Sequence, residues 1–545
     1  MRRIEGNIVD VLNRKIFKGE IIINNGIIEK ITPKENNCEH YILSGLIDAH
    51  VHIESSMLIP AEFSKLAIQN GTVAVIADPH EIANVMGIDG IKFMLENSLQ
   101  CPLKTFYAAP SCVPATDFET SGYKINSDDI ETLFKKFGLK VLGEMMNYPG
   151  VIYDNKEVYK KIEIAKKYNA QIDGHIPNVS GKDLEKYISA GISTDHECSS
   201  MEEALEKIKL GMKILIREGS AAKNFNNLFP LISKFNKQVM FCTDDSHPDD
   251  ILKYGHINKV LKMGIKQNID IFDLLTAACI NPVFHYNLPV GILRENDSAD
   301  FIIVDNLTDF NILETNINGN IVYSNQRILY TTQKCNYINN FKAHKITEEE
   351  IKIKAIENKK IRVIEVIDKE LITNSFIAAA QTCNGNIISD TNRDILKIVV
   401  VNRYEENPVP QVGFINGFGL KHGGIASSIA HDSHNIISVG VDDYSITAAI
   451  NEIIENKGGL CYVHDKDCYT LSLPFAGLMT DQCGEEVAEI YQELNKVIRQ
   501  NGCNLTSPFM TLSFMSLLVI PSLKIGDKGL FDVNNFEKTE LIVNC

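Results

Sequence analysis

No stretch of this 545-residue chain reaches the ~18 consecutive apolar residues of a membrane helix. The longest candidate, FMTLSFMSLLVIP ending at Pro521, reads as core. None of the 13 cysteines forms a C-x-x-C pair, and their odd number and scatter do not suggest a disulfide framework. Because Met1-Arg2-Arg3-Ile4-Glu5 turns charged at once, reduced thiols in a cytoplasmic protein are expected. Basic charge is also short: 54 Lys and Arg against 70 Asp and Glu leave a net charge of -16. That balance lacks the basic stripe of a nucleic-acid binder. Repeats and low-complexity tracts are missing too. What remains, 44% hydrophobic and 23% charged residues, is a soluble globular composition, long enough for two to four units. Neither a membrane nor a nucleic acid is expected as a partner.

Residues 1–43 alternate apolar and polar around turns, with Asn25-Gly26 as a hairpin signal. A similar pattern runs from Ala299 to Leu329. Two such segments flanking a long middle predict one composite β-domain, residues 1–43 with 291–340, built from both ends of an inserted domain. The middle, residues 44–290, parses into eight strand candidates: 43–52, 71–79, 104–110, 139–146, 170–177, 192–197, 213–220 and 238–245. Amphipathic stretches such as NKEVYKKIEIAKKYN separate them. Eight strand–helix alternations over that length predict a (β/α)8 TIM-like barrel, with a doubly wound sheet as the alternative. Residues 351–545 read as a C-terminal α+β domain, with a strand candidate at Ile398–Asn402 and helical runs at Tyr444–Gly459 and Glu485–Gly502.

Chemistry collects at the ends of the predicted strands, where such a barrel carries its site. His50 and His52 close the first strand, and residues i and i+2 of a strand point to one side. Asp78 and His80 follow the second strand, Glu144 lies on the fourth, and His175 and His196 mark the fifth and sixth. Asp244 and Asp245 end the eighth, and His247 follows them. Four imidazoles can split between two divalent ions, with Glu144 bridging them and Asp244 binding one ion. Asp244 can also take a proton from a metal-activated hydroxide and pass it to a leaving group. His80 is a separate candidate, as proton relay or substrate contact. The donor set favours manganese or iron and is compatible with zinc. His52-Ile53-Glu54 has the H-x-E spacing of cytidine-type zinc deaminases, but the partner P-C-x-x-C is missing.

GLIDAHVHIESSM, ADPHEIANV, GEMMN, DGH, HE and CTDDSHPDD, in this order, resemble the amidohydrolase superfamily and, within it, the adenine deaminases. GFGLKHGGIASSIAHDSHNIISVG (Gly417–Gly440) and PFMTLSFMSLLVIPSLKIGDKGLFDV resemble that family's C-terminal domain. The resemblance implies hydrolysis of adenine to hypoxanthine and ammonia, with a metal-bound hydroxide attacking C6. It implies a binuclear centre on His50, His52, Glu144, His175, His196 and Asp244, the last chosen over Asp245 because it follows Thr243. A small purine substrate and a homodimer are likewise implied. Glu144 stands where cyclic amidases of the hydantoinase kind carry a modified lysine, which disfavours that alternative. Gly417-Phe418-Gly419 lacks the spacing of a nucleotide loop. His431–Asn435 either reaches the barrel mouth or organises its own domain.

Overall fold

A computed structural model describes residues 1–220 and 222–543. They fall into two compact units. The first comprises Met1–Pro79, Phe93–Ser111 and Asn126–Cys335; the second comprises His80–Lys92, Cys112–Ile125 and Asn336–Cys545.

An eight-stranded sheet in the first unit uses residues from both flanks of the barrel. Strands β1 (Arg2–Asp10), β2 (Lys15–Asn24), β3 (Ile27–Pro33) and β4 (Tyr41–Ser44) precede the barrel in sequence. The turn between β2 and β3 has positive φ at both Asn25 (48°) and Gly26 (81°), which suits an Asn-Gly hairpin. From the far flank, a strand at Phe301–Val304 pairs antiparallel with β4, and three further strands to Ile328 extend the sheet. Ile8, Ile21, Ile42, Phe301 and Ile303 share its core, so two segments about 260 residues apart in sequence bury one another's apolar face.

Eight parallel strands lie between: β5 (Leu46–Val51), β6 (Thr72–Ala77), β7 (Lys104–Ala109), β8 (Val141–Met145), β9 (Gln171–Gly174), β10 (Thr194–Asp195), β11 (Lys213–Arg217) and β12 (Val239–Cys242). β5 to β9 form one run and β10 to β12 another. Backbone bonds close both seams. Ser193 N–H donates to Ile172 C=O at 2.9 Å; Asp244 N–H donates to His50 C=O at 3.0 Å, and His52 N–H donates back to Asp244 C=O at 3.1 Å. The ring is therefore complete, a (β/α)8 barrel. Every residue of β5 and β6 is buried, as expected of strands covered on both faces. The outer helices follow ordinary rules. Lys156–Lys167 is capped by the Asn155 side chain, which accepts from the backbone N–H of Glu157 and Val158, and it buries Val158, Ile162 and Ala165 at helical spacing.

The second unit is built on an antiparallel-rich sheet that includes Lys360–Val366, Ile395–Val401, Gly424–Ser427, Ile436–Gly440 and Gly459–His464. Helix Asp443–Glu455 lays Ile446, Ala449, Ile450 and Ile453 on Val399, Val401, Ala426 and Val463. A second long helix spans Gly484–Gln500. No described helix is long and apolar enough to cross a membrane.

Candidate metal centre and active site

Closure of the barrel brings six of the predicted residues to one point. His50 ends on β5 and His52 follows directly, and their Nε2 atoms lie 3.1 Å apart. Glu144, on β8, stands among four imidazoles. Its Oε1 is 3.2 Å from His52 Nε2 and 3.9 Å from His50 Nε2. Its Oε2 is 2.7 Å from His175 Nδ1 and 3.3 Å from His196 Nε2. Each carboxylate oxygen thus faces one pair of rings. The rings of His50 and His196 stack, with centroids 4.3 Å apart. Asp244 completes the group, its Oδ1 3.1 Å from His52 and 3.5 Å from His50. It has a left-handed backbone (φ 57°), a conformation that aspartate tolerates, at the seam where β5 and the end of β12 exchange hydrogen bonds.

Neighbouring groups hold these side chains in place. The backbone C=O of Asp78 lies 2.9 Å from His52 Nδ1, leaving Nε2 to face the centre. The Asp78 side chain accepts from the Glu144 N–H at 2.9 Å, and Ser111 Oγ donates to the Glu144 C=O at 2.5 Å. Tyr187 OH lies 3.0 Å from the His175 backbone nitrogen, accepting its N–H. Burial alone would raise Glu144 and Asp244. The imidazoles of His175 and His196 around Glu144, and Arg217 beside Asp244, instead hold both well below the ordinary carboxylate value. Burial opposes protonation of His52, yet Asp244 and Glu144 raise it well above the ordinary histidine value. Four imidazoles around two ionised, buried carboxylates are a donor set that fits divalent cations.

Two members of this neighbourhood, Arg217 and Glu197, are not among the predicted site residues. Arg217, the last residue of β11, donates to Asp244 Oδ2 at 2.6 Å and pairs with Glu197. Glu197 lies 3.4 Å from His196 Nε2 and 3.7 Å from His175 Nδ1. The strand-end rule, applied to the seventh strand, would have singled out Arg217. Glu197 was visible only as the neighbour of His196. Asp245 turns toward Ser55, whose Oγ donates to it at 2.5 Å. His80 opens the helix His80–Ser98, whose residues up to Lys92 belong to the second unit, and its Nε2 lies 3.6 Å from Glu81 and 4.0 Å from Asp432.

Residues 41–322 match the model of the amidohydrolase family, and residues 370–537 match the adenine deaminase C-terminal domain. An adenine deaminase of Methanosarcina barkeri is 52% identical over 548 residues, covering 99% of both chains. One of Parabacteroides distasonis is 48% identical, covering 99% of this chain and 98% of its own. One of Borreliella burgdorferi is 48% identical, covering 98% of each. With its barrel in one family model, its C-terminal part in the other and whole-chain relatives at these identities, this chain belongs to the adenine deaminase family of amidohydrolases.

Proposed function

We propose that this chain hydrolyses adenine to hypoxanthine and ammonia, acting in the cytoplasm in purine salvage. The observation that carries the reading is the 52% identity to an adenine deaminase across 99% of both chains. Glu144 supports a binuclear site, because its two oxygens face two separate pairs of imidazoles. In this reading His50, His52, His175, His196, Glu144 and Asp244 hold two divalent ions, manganese or iron by their nitrogen and carboxylate donors, with zinc compatible. When bound, the ions acidify a water and make it a nucleophile near neutral pH.

The protein's own groups handle the protons. Arg217 occupies Asp244 Oδ2, leaving Oδ1 to act. Asp244 takes a proton from the water as its oxygen adds to C6 and the C6=N1 electron pair moves to N1, which takes up a proton. Asp244 then protonates the exocyclic nitrogen, and the C6–N bond breaks to release ammonia. The remaining O–H proton is lost as the C6 carbonyl forms, balancing the one gained at N1. His80, two residues beyond Asp78, is the candidate for a second proton transfer or a substrate contact. The assembly implied by resemblance is a homodimer, which sedimentation would measure. For the reaction itself, full-length protein is stripped with chelator, reloaded with manganese and screened for ammonia release over purines and cyclic amides. Adenine is the expected substrate. Hydrolysis of a hydantoin without turnover of adenine would overturn the reading.

A further inference from the structure

In the second unit, one carboxylate meets two histidines of a turn 350 positions further along the chain. Glu81 lies in the first turn of helix His80–Ser98, and His431 and His434 lie in the turn between strands Gly424–Ser427 and Ile436–Gly440. The His434 backbone N–H donates to Ala430 C=O at 2.7 Å, and this closed turn sets the two ring centroids 5.6 Å apart. Glu81 Oε1 lies 2.7 Å from His431 Nδ1, and Glu81 Oε2 contacts His434 Nε2. Relative exposures are 2% for Glu81, 6% for His431 and zero for His434. Glu81 therefore spans both imidazoles, with one carboxylate oxygen against each. A buried carboxylate set between two buried imidazoles needs a shared cation among them, a proton or a metal ion.

We propose that Glu81, His431 and His434 form a binding site for a divalent first-row transition-metal ion, using none of the barrel's donors. One ligand atom from each of the three lies within 4.8 Å of the others. An ion about 2.1 Å from each would set them roughly 3–4 Å apart, so small side-chain shifts suffice. Two imidazoles and one carboxylate select manganese, iron or zinc over magnesium or calcium, which prefer all-oxygen sites. The surroundings hold the His431 ring in place. The ring stacks on Phe514 with centroids 4.4 Å apart and planes 17° apart; the His431 backbone N–H donates to Ser513 C=O at 3.0 Å, and its backbone C=O accepts from Ser516 Oγ at 3.2 Å. A proton is the competing occupant. The Ala430 amide approaches His434 Nδ1 at 3.3 Å, at the long end of the hydrogen-bonding range. With Nδ1 turned to that amide, Nε2 is the atom that faces Glu81 and takes either the proton or the ion.

The test uses the full chain and manganese alone. After chelation, reloading and desalting, the double variant Glu81→Gln, His434→Gln is expected to hold one manganese fewer per chain than the unaltered protein. That difference does not depend on how many ions the barrel takes or on which substrate it turns over. His434→Asp, which keeps a ligand, is expected to restore the lost ion. Equal counts in the unaltered protein and the double variant overturn the proposal. Crystals of the manganese-loaded unaltered protein provide a second measurement, independent of how the double variant folds. Anomalous difference maps on either side of the manganese edge should show a peak within about 2.5 Å of all three side chains. No peak between them overturns the proposal.

Discussion

A carboxylate with one oxygen committed to a guanidinium has one left for proton transfer, and Asp244 is in that position. Replacing it by asparagine keeps the shape and removes the basic oxygen. Asp244→Asn is expected to lower kcat for adenine by about 10²–10⁴-fold, the usual range for a lost general base. Circular dichroism should be unchanged; a near-normal rate would show that the proton goes elsewhere. The imidazole and acid positions were legible because strand periodicity and strand ends are local properties of the chain. The pairing of Arg217 with Asp244 and Glu197 was not. These residues lie 27 and 20 positions apart in sequence and meet only because successive barrel strands pair in register.

Strand β8 is five residues long and bears directly on the centre. A Cβ on Gly143 would lie 2.2 Å from Asp78 Oδ2, the atom that accepts the Glu144 N–H. Gly143→Ala therefore cannot keep both the strand and that hydrogen bond. Overpacking of this kind costs about 1–3 kcal/mol. The expected outcome is a lowered melting temperature together with reduced ammonia release, and unchanged values in both would sink the argument. Among the elements, all eight barrel strands fall within the segments that the apolar pattern marked. The pattern overstated the sixth, where only Thr194–Asp195 is extended. Hydrogen bonds to neighbouring strands define a strand's ends, and apolar composition does not report them.

At the scale of the whole molecule, pH should tune stability through a buried lysine. Lys524 is fully buried, and burial pushes it down to about 7 from 10.5. Its amine donates to the C=O of Leu371 and of Phe514. Between pH 7 and 10.5 the unfolded state binds the extra proton, so stability rises with pH across that window and levels off below 7, where both states hold the proton. Lys524→Met should flatten that rise, by several kcal/mol across the window if the full shift is realised. Denaturant melts of both proteins at pH 7 and 9.5 check it; equal pH slopes would refute it. The sequence by itself determined the alternation of strand and helix, the flanking β segments and the residue types at the strand ends, because periodicity and turn chemistry act over a few residues. Only the tertiary structure decided which donors share a point. Closing the barrel set Glu144 between two pairs of histidines, and folding of the second unit brought Glu81 to His431 across 350 positions. Such convergence depends on packing and register between distant segments, which no local pattern encodes.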